Sequence, residues 1–380
     1  MKLLLVGHLA ISTKLIIALK KTGIDFAILS TETEQSISSD HRNDILNNTT
    51  FLGQFYDHFK LLKPKYTRFL FSFSFLSVFA PKFLLRNLTS ALKNYDPDII
   101  IGNWGTGVLP EINLIKSLSQ SSNAKVILNM ETFPTSWKSK KREIFERLLL
   151  KTSMKNIDGL IIPTDEMYNL LSSYGYDLEN KIIYKKPFYF PRSHFVNTNM
   201  KNSDTKSMKD LIFLGKPDLF RSLNSVQNQL LEIAEAGITL SCSENFNLTH
   251  KNIFPFEPFD IYDSCYDFSK ITNSHKAALV TFRIPEGSDQ PLRFNTSLPH
   301  RFLLPLALGL PTVVPRKGFQ AVGSFIDKYK IGYRYNSLAN LKEYLNSETV
   351  STSKANIQKV QSELDFNTDE FKEFLKRFEG

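Results

Sequence analysis

Cysteine is nearly absent: Cys242 and Cys265 are the only two in 380 residues. Two thiols exclude a disulfide scaffold and a cysteine-only zinc site. Both are expected as buried free thiols in a reducing compartment. Long apolar runs are missing as well. No stretch reaches the roughly 18 uninterrupted residues of a membrane-spanning helix. The opening run from Met1 to His8 is too short for a signal peptide and has no small-residue cleavage site, so the expected location is the cytoplasm. Several catalytic signatures are also lacking. Gly7 is followed by His8, Leu9 and Ala10 rather than by Gly-x-Gly-x-x-Gly, which argues against a dinucleotide-dependent dehydrogenase. There is no Walker motif, no Gly-x-Ser-x-Gly elbow and no kinase motif set. No His/Cys/Asp cluster has zinc spacing, so no metal is expected. No helix-turn-helix or RNA-binding motif stands out and the cations are dispersed, so nucleic acid is not an expected partner.

What is present reads as globular: 42% hydrophobic and 22% charged residues. At about 150 residues per domain, the length predicts two or three domains. Lysine and arginine exceed the acids by 47 − 38 = +9, a balance that suits phosphates, sugar nucleotides or an anionic membrane surface.

The hydrophobic pattern alternates strands with helices. Residues 2–6 are an apolar run ending at Gly7; a 3.6-period stretch follows through Leu15, Ile16 and Leu19 to Gly23, and then a second run, Phe26 to Leu29. That is a βαβ unit with a parallel sheet. Strands recur at 98–101, 125–128 and 159–162, the last followed by a helix from Asp165. Continuous Ile/Leu/Val runs, without alternation, mark strands buried on both faces. Residues 186–209 break the rhythm with prolines and then a polar tract. It restarts with strands at 211–214, 238–240, 277–281, 311–314 and 331–335, helices over 222–236 and 303–308, and closing helices over 338–347 and 353–379. The expected fold is α/β, with two Rossmann-like doubly wound parallel-sheet domains facing across a cleft. Residues 1–190 form the first, 191–209 a linker and 210–350 the second. Residues 351–380 make a C-terminal helix with the option of packing back on the first domain. Ligands in such sheets bind beyond the carboxyl ends of the strands, so the residues just after each strand are the candidates.

Phe69 to Ala80 is the longest near-apolar stretch, flanked by Lys63, Lys65, Arg68, Lys82 and Arg86. It suits either an in-plane membrane helix or a buried helix with a solvated rim. The basic helical stretch from Lys138 to Lys151 suits membrane or acceptor phosphates, or a solvated face.

The most informative segment runs from Asn295 through Ser297, Pro299, His300 and Arg301 to Gly309, Pro311, Val313 and Val314. It reads as a polar loop, a helix and a turn into a buried strand. The N–H groups and positive dipole end of such a helix suit a diphosphate, with Ser297, His300 and Arg301 adding donors. This segment resembles the second domain of the GT-B glycosyltransferases, in a divergent form of the family 4/family 1-like superfamily. Pro299, Arg301, Ala307, Gly309, Pro311, Val313 and Val314 match that family's pattern, with Arg301 in its lysine slot. Leu304 stands where the family usually has the glutamate that contacts the nucleotide ribose, so the nucleotide stays open. A strand ending in Gly-Lys opens the second GT-B domain; here that is Gly215-Lys216, with Arg221 nearby, the glycine allowing close approach and the cation stabilising a leaving diphosphate.

The resemblance implies a donor site of Gly215, Lys216, Arg221, Glu244, Arg283, Arg293, Asn295, Ser297, His300 and Arg301, with Glu244 toward the base. Glu286 or Asp289 would meet a sugar hydroxyl. Phe294 stands where a partner glutamate for Glu286 would be in retaining families, so retention and inversion both stay open. Gly7, Asn103 and Trp104 would border the acceptor, Trp104 offering a stacking face within the loop Gly102 to Gly107. His8 is a candidate general base, and Glu131 a base or a sugar-hydroxyl acceptor. The implied reaction moves a sugar from a nucleotide-sugar co-substrate to a saccharide or lipid-linked saccharide acceptor, in cell-surface polysaccharide or glycolipid synthesis. It needs no metal or other cofactor, and it takes place in the cytoplasm or peripherally at the inner membrane face through residues 60–90. The alternatives are a sugar-nucleotide epimerase of the same fold and a non-catalytic GT-B-like binding protein.

Overall fold

A computed structural model of the chain describes residues 1–7, 9–31, 49–54, 86–103, 109–118, 124–133, 140–186, 208–215, 223–257, 259, 266–282 and 291–379. The chain divides into two compact units, Met1–Tyr189 with Asn367–Gly380, and Phe190–Phe366.

The first unit contains β1 (Lys2–Gly7), α1 (Leu9–Thr22), β2 (Asp25–Ser30), β3 (Thr50–Gln54), α2 (Arg86–Tyr95), β4 (Ile99–Asn103), α3 (Leu109–Leu118), β5 (Lys125–Asn129), α4 (Lys140–Ser153), β6 (Gly159–Ile162), α5 (Asp165–Ser173) and β7 (Ile182–Lys185). Its strands, among the described residues, lie in the order β3-β2-β1-β4-β5-β6-β7, all parallel. Leu3, Leu4, Val6, Ile100, Ile101, Val126 and Leu128 are fully buried, as continuous aliphatic runs covered by helices on both faces require.

The second unit contains β8 (Lys209–Phe213), α6 (Leu223–Glu235), β9 (Leu240–Ser243), β10 (Ile253–Phe256), α7 (Ser269–Ser274), β11 (His275–Leu279), α8 (Pro291–Thr296), α9 (His300–Ala307), β12 (Thr312–Pro315), α10 (Gln320–Tyr329), β13 (Gly332–Tyr335), α11 (Leu338–Leu345) and α12 (Thr349–Leu364). Its described strands run β10-β9-β8-β11-β12-β13, again all parallel. Phe213, Leu230, Leu240, Leu279 and Val313 centre its core. Each sheet reverses its winding once, between β1 and β4 and between β8 and β11. A doubly wound sheet opens a crevice at the carboxyl ends of those strands.

A last helix, α13 (Thr368–Lys376), belongs to the first unit. It packs on α1. Tyr184 of β7 meets Phe371 and Phe374 at ring-centroid distances of 5.5 and 5.0 Å. Phe378 lies over Gly159, and Lys186 pairs with Glu370. The sequence predicts one helix over 353–379, but two form. Asp365 is extended, and the Asn367 side chain accepts from the N–H groups of Asp369 and Glu370 at 3.1 Å each, starting a new helix.

At the amino ends of β8 and β11, Asp210 accepts from Lys276 Nζ at 2.7 Å and from the Thr239 N–H and hydroxyl at 2.9 Å each. Burial opposes ionisation there, but these hydrogen bonds outweigh it and hold the Asp210 carboxyl below its usual range. His275 is buried, with Nδ1 2.9 Å from the Ile271 carbonyl and Nε2 2.9 Å from Ser241 Oγ. Burial, with Lys209 and Lys354 nearby, pushes its pKa down to about 4.

Candidate functional site

In the second unit, the site is built where β8 and β11 separate. Phe213 ends β8, and Leu214 and Gly215 follow it. β11 ends at Leu279, and Thr281 and Phe282 lie just beyond. α9 begins at His300, about one turn earlier than the predicted 303–308, which puts Arg301 in its first turn. Arg301 then spans both strand ends. Its Nη1 donates to the Thr281 carbonyl at 2.9 Å. Its guanidinium carbon lies 4.3 Å from the Phe282 ring centroid and 4.8 Å from that of Phe213. A planar, permanently charged group is suited to contact with two rings while hydrogen bonding in its own plane.

Gly215 closes the fourth side. A Cβ placed there would come within 2.5 Å of the Phe213 ring and 3.0 Å of Arg301 Cζ. The backbone after β8 therefore approaches the guanidinium as closely as only glycine permits. Phe282 stacks in turn on buried Phe319, just before α10, at 6.1 Å, and the Thr281 hydroxyl donates to Gln229 of α6 at 2.7 Å. The result is a cation held in place at the switch point, beside the positive end of α9. Such a spot suits a diphosphate.

The other donor candidates fall around it unevenly. Ser297 is buried and His300 half-buried, immediately before and at the start of α9. Asn295 lies in α8 rather than in the predicted polar loop, and its Oδ1 accepts from the Gln320 N–H at 3.3 Å. Glu244 follows β9 directly and is exposed; that strand spans 240–243, not the predicted 238–240. Leu304 is 2% exposed, so the ribose-glutamate position faces the core. Arg293 lies in α8, but its side chain lies outside the described residues. Lys216, Arg221, Arg283, Glu286 and Asp289 lie outside them too.

In the first unit, Gly7 and Asn103 end the paired strands β1 and β4 at the switch point. The Gly7 backbone has φ +155°, and a Cβ there would sit 2.5 Å from the Asn103 carbonyl oxygen. Asn103 was expected in a loop, but it ends β4 and is fully buried. Its side-chain oxygen accepts from Asn129 Nδ2, at the end of β5. An interior amide pair in this position orders the strand ends. Glu131 is half-buried two residues beyond β5. Phe133 follows, and the Arg147 guanidinium of α4 caps its ring at 5.2 Å. His8, Trp104 and the 60–85 part of the proposed membrane segment lie outside the described residues. Of the two cysteines, Cys242 is buried in β9 with its thiol pushed up to about 11; Cys265 lies outside the described residues. Among the described residues, no three His, Cys, Asp or Glu side chains are grouped to hold a metal ion.

Three partners of Arg301 escape motif reading: Phe213, Thr281 and Phe282. They come from strand ends 88, 20 and 19 positions away, and only the sheet order joins them. The available signal was that each ends or follows a buried strand.

No family model matches the chain, and no curated protein matches it in sequence. Solved structures do match along nearly the whole chain. It is similar to sucrose-phosphate synthase from Thermosynechococcus elongatus, at 10% identity and TM-score 0.61, covering 99% of this chain and 98% of that one. It is similar to apo UGT2 of Phytolacca americana, at 10% identity and TM-score 0.54, with all of both chains covered. A UDP-N-acetylglucosamine 2-epimerase also matches, at 13% identity and TM-score 0.51, covering 94% of this chain and 90% of that one. The chain has the GT-B fold.

Proposed function

We propose that the chain is a glycosyltransferase that moves a sugar from a nucleotide-sugar donor to an acceptor hydroxyl. The observation that carries this reading is Arg301, held against Gly215 at the switch point of the second sheet. A guanidinium there, at the start of α9, suits the donor diphosphate. In the transfer, the acceptor oxygen bonds to the anomeric carbon as the bond to the diphosphate breaks. Charge grows on the leaving diphosphate, and Arg301, with Ser297, His300 and Lys216, would stabilise it. The acceptor's proton goes to Glu131 or His8, whichever acts as base. The acceptor is assigned as a saccharide or lipid-linked saccharide in cell-surface polysaccharide or glycolipid synthesis, reached from the cytoplasm at the inner membrane face. The basic, aromatic sequence of residues 60–90 supports this.

The test is a thermal-shift screen against UDP, GDP, ADP, CMP and TDP and their common sugar conjugates. At 100 times its dissociation constant, a ligand stabilises the fold by about 2.7 kcal/mol. A selective rise in Tm with one nucleotide class is the expected result and names the donor. No shift from a folded sample overturns the reading in favour of a non-catalytic binding protein. Conversion of the sugar nucleotide to an isomer without any acceptor would make the chain an epimerase instead.

A further inference from the structure

The long side chains left exposed on α4 have no role in the site described so far. Ile144 is 59% exposed and Leu148 58%, and Phe145 is also exposed, at 39%. In a helix, positions 141, 144, 145, 148, 151 and 152 share one face. Lys141 and Lys151 stand on that face and are exposed, and Lys155, in the 3-10 turn Met154–Asn156 that follows the helix, is exposed beside its end. The helix's two acids are turned away from it. Glu143 forms an ion pair with Arg147 at 2.5 Å, and Glu146 is half-buried. The opposite face, with Leu149, Leu150 and Ser153, is buried and packs on α3, where Asn113 donates to the Ser153 hydroxyl at 3.3 Å. The helix therefore has one apolar face spent on the core and a second, bearing lysines and no carboxylate among the described residues, turned outward.

We propose that this outer face of α4 docks the protein on an anionic lipid bilayer. Aliphatic side chains between lysines match such a surface: the apolar groups enter the acyl boundary and the ammonium groups stay among the phosphates. A protein partner would need carboxylates facing all three lysines, and a second copy of this helix would set lysines against lysines. The surface also connects to the candidate acceptor site. The Arg147 guanidinium, on the flank of α4, lies over both the Phe133 and Tyr174 rings, at 5.2 and 4.5 Å. Phe133 is two residues from Glu131. Taken with the transferase reading, on which this part rests, docking through α4 holds the carboxyl end of β5 near the headgroups and makes a lipid-linked acceptor the natural substrate class.

The experiment is flotation of the full chain with vesicles of phosphatidylcholine mixed with phosphatidylglycerol, and with phosphatidylcholine alone. No nucleotide is present, so the result is independent of the transferase reading. The wild-type chain should float with the mixed vesicles, and added salt should weaken binding. The double variant Ile144→Gln/Leu148→Gln keeps good helix formers at exposed positions, and it should bind about tenfold or more weakly. Lys141→Glu/Lys151→Glu/Lys155→Glu should lose at least as much. Circular dichroism and Tm, unchanged in both, separate docking from folding. Failure of the folded wild-type chain to float overturns the proposal, and so does flotation that neither variant alters. A concentration-dependent dimer, abolished by Ile144→Gln/Leu148→Gln and without vesicle binding, also overturns it, in favour of a second copy as the occupant.

Discussion

Arg301 donates to the carbonyl oxygen of Thr281 at 2.9 Å, so a side chain from the first turn of α9 secures the backbone just beyond β11. The same guanidinium contacts Phe213 at the end of β8. Arg301 thus ties together the two strand ends between which the second sheet reverses its winding. Removing it should affect ligand binding and local order together. Arg301→Ala is expected to weaken binding of the nucleotide found in the thermal screen by about 1.5–3 kcal/mol, the range for a charged hydrogen bond. Arg301→Lys should recover only part of this, because an ammonium cannot reproduce the planar contact with two rings. Calorimetric titration checks both, and unchanged affinity in a folded Arg301→Ala chain removes the residue from the donor site.

Gly215→Ala tests the closeness of the backbone to that guanidinium. The new methyl would meet the Phe213 ring at 2.5 Å and Arg301 Cζ at 3.0 Å. Phe213 is fully buried, so the ring has little room to yield, and overpacking of this kind costs about 1–3 kcal/mol. Nucleotide affinity should fall about tenfold or more as the guanidinium is displaced. A variant with wild-type Tm and wild-type affinity would show that the approach is not needed.

Glu131→Gln separates chemistry from binding. If Glu131 takes the acceptor proton, kcat should fall about a hundred- to ten-thousand-fold while nucleotide affinity stays the same. His8→Ala measured beside it identifies which of the two is the base. Normal turnover in both variants removes both.

The buried imidazole of His275 sets a pH dependence of stability. Burial pushes its pKa down to about 4 in the fold, against an ordinary value of 6.5. Between those values the unfolded chain holds the proton and the folded chain does not, so stability rises with pH across that window. The contribution is complete above about pH 6.5 and is lost as pH falls toward 4, roughly 3 kcal/mol in all at 1.36 kcal/mol per pKa unit. Denaturant titrations from pH 7 to 4 should show this slope, and His275→Gln should flatten it. An unchanged slope in the variant would remove His275 as its source; Asp210 does not contribute in this window, because a carboxyl held below its usual range loses its native stabilisation only below about pH 4.

The parts of the fold legible in the sequence are those made by long uninterrupted aliphatic runs. Leu3 to Val6, Ile99 to Ile101 and Leu211 to Phe213 announce central parallel strands because both of their faces are covered. β3, β7 and β10 were not foreseen. Each is an edge strand of four or five residues, partly exposed, and β10 contains Pro255, which breaks a strand pattern. In the site, Gly215 and Arg301 were legible from local pattern, since both mark a strand end and a helix start. Asn103 reads as a loop residue because it is an amide after an apolar run, whereas it ends β4 with its side chain satisfied by Asn129 on the neighbouring strand. The rings around Arg301 were beyond local reading altogether, since cation–ring contacts leave no spacing in a sequence.

The place of α13 has a consequence for how the protein is made. Phe371, Phe374 and Phe378 complete the apolar surface beside β7 and Gly159, yet they leave the ribosome only after the whole second unit has been translated. The unit begun first is thus finished last. Until its closing residues emerge, Tyr184 and its neighbours lack their cover, and the nascent chain carries an uncapped apolar seam that chaperones would recognise. A nonsense mutation after Phe366 would then do more than trim a tail. It would leave the second unit whole and the first permanently unsealed, a defect that would appear as insolubility in a region far from the missing codons.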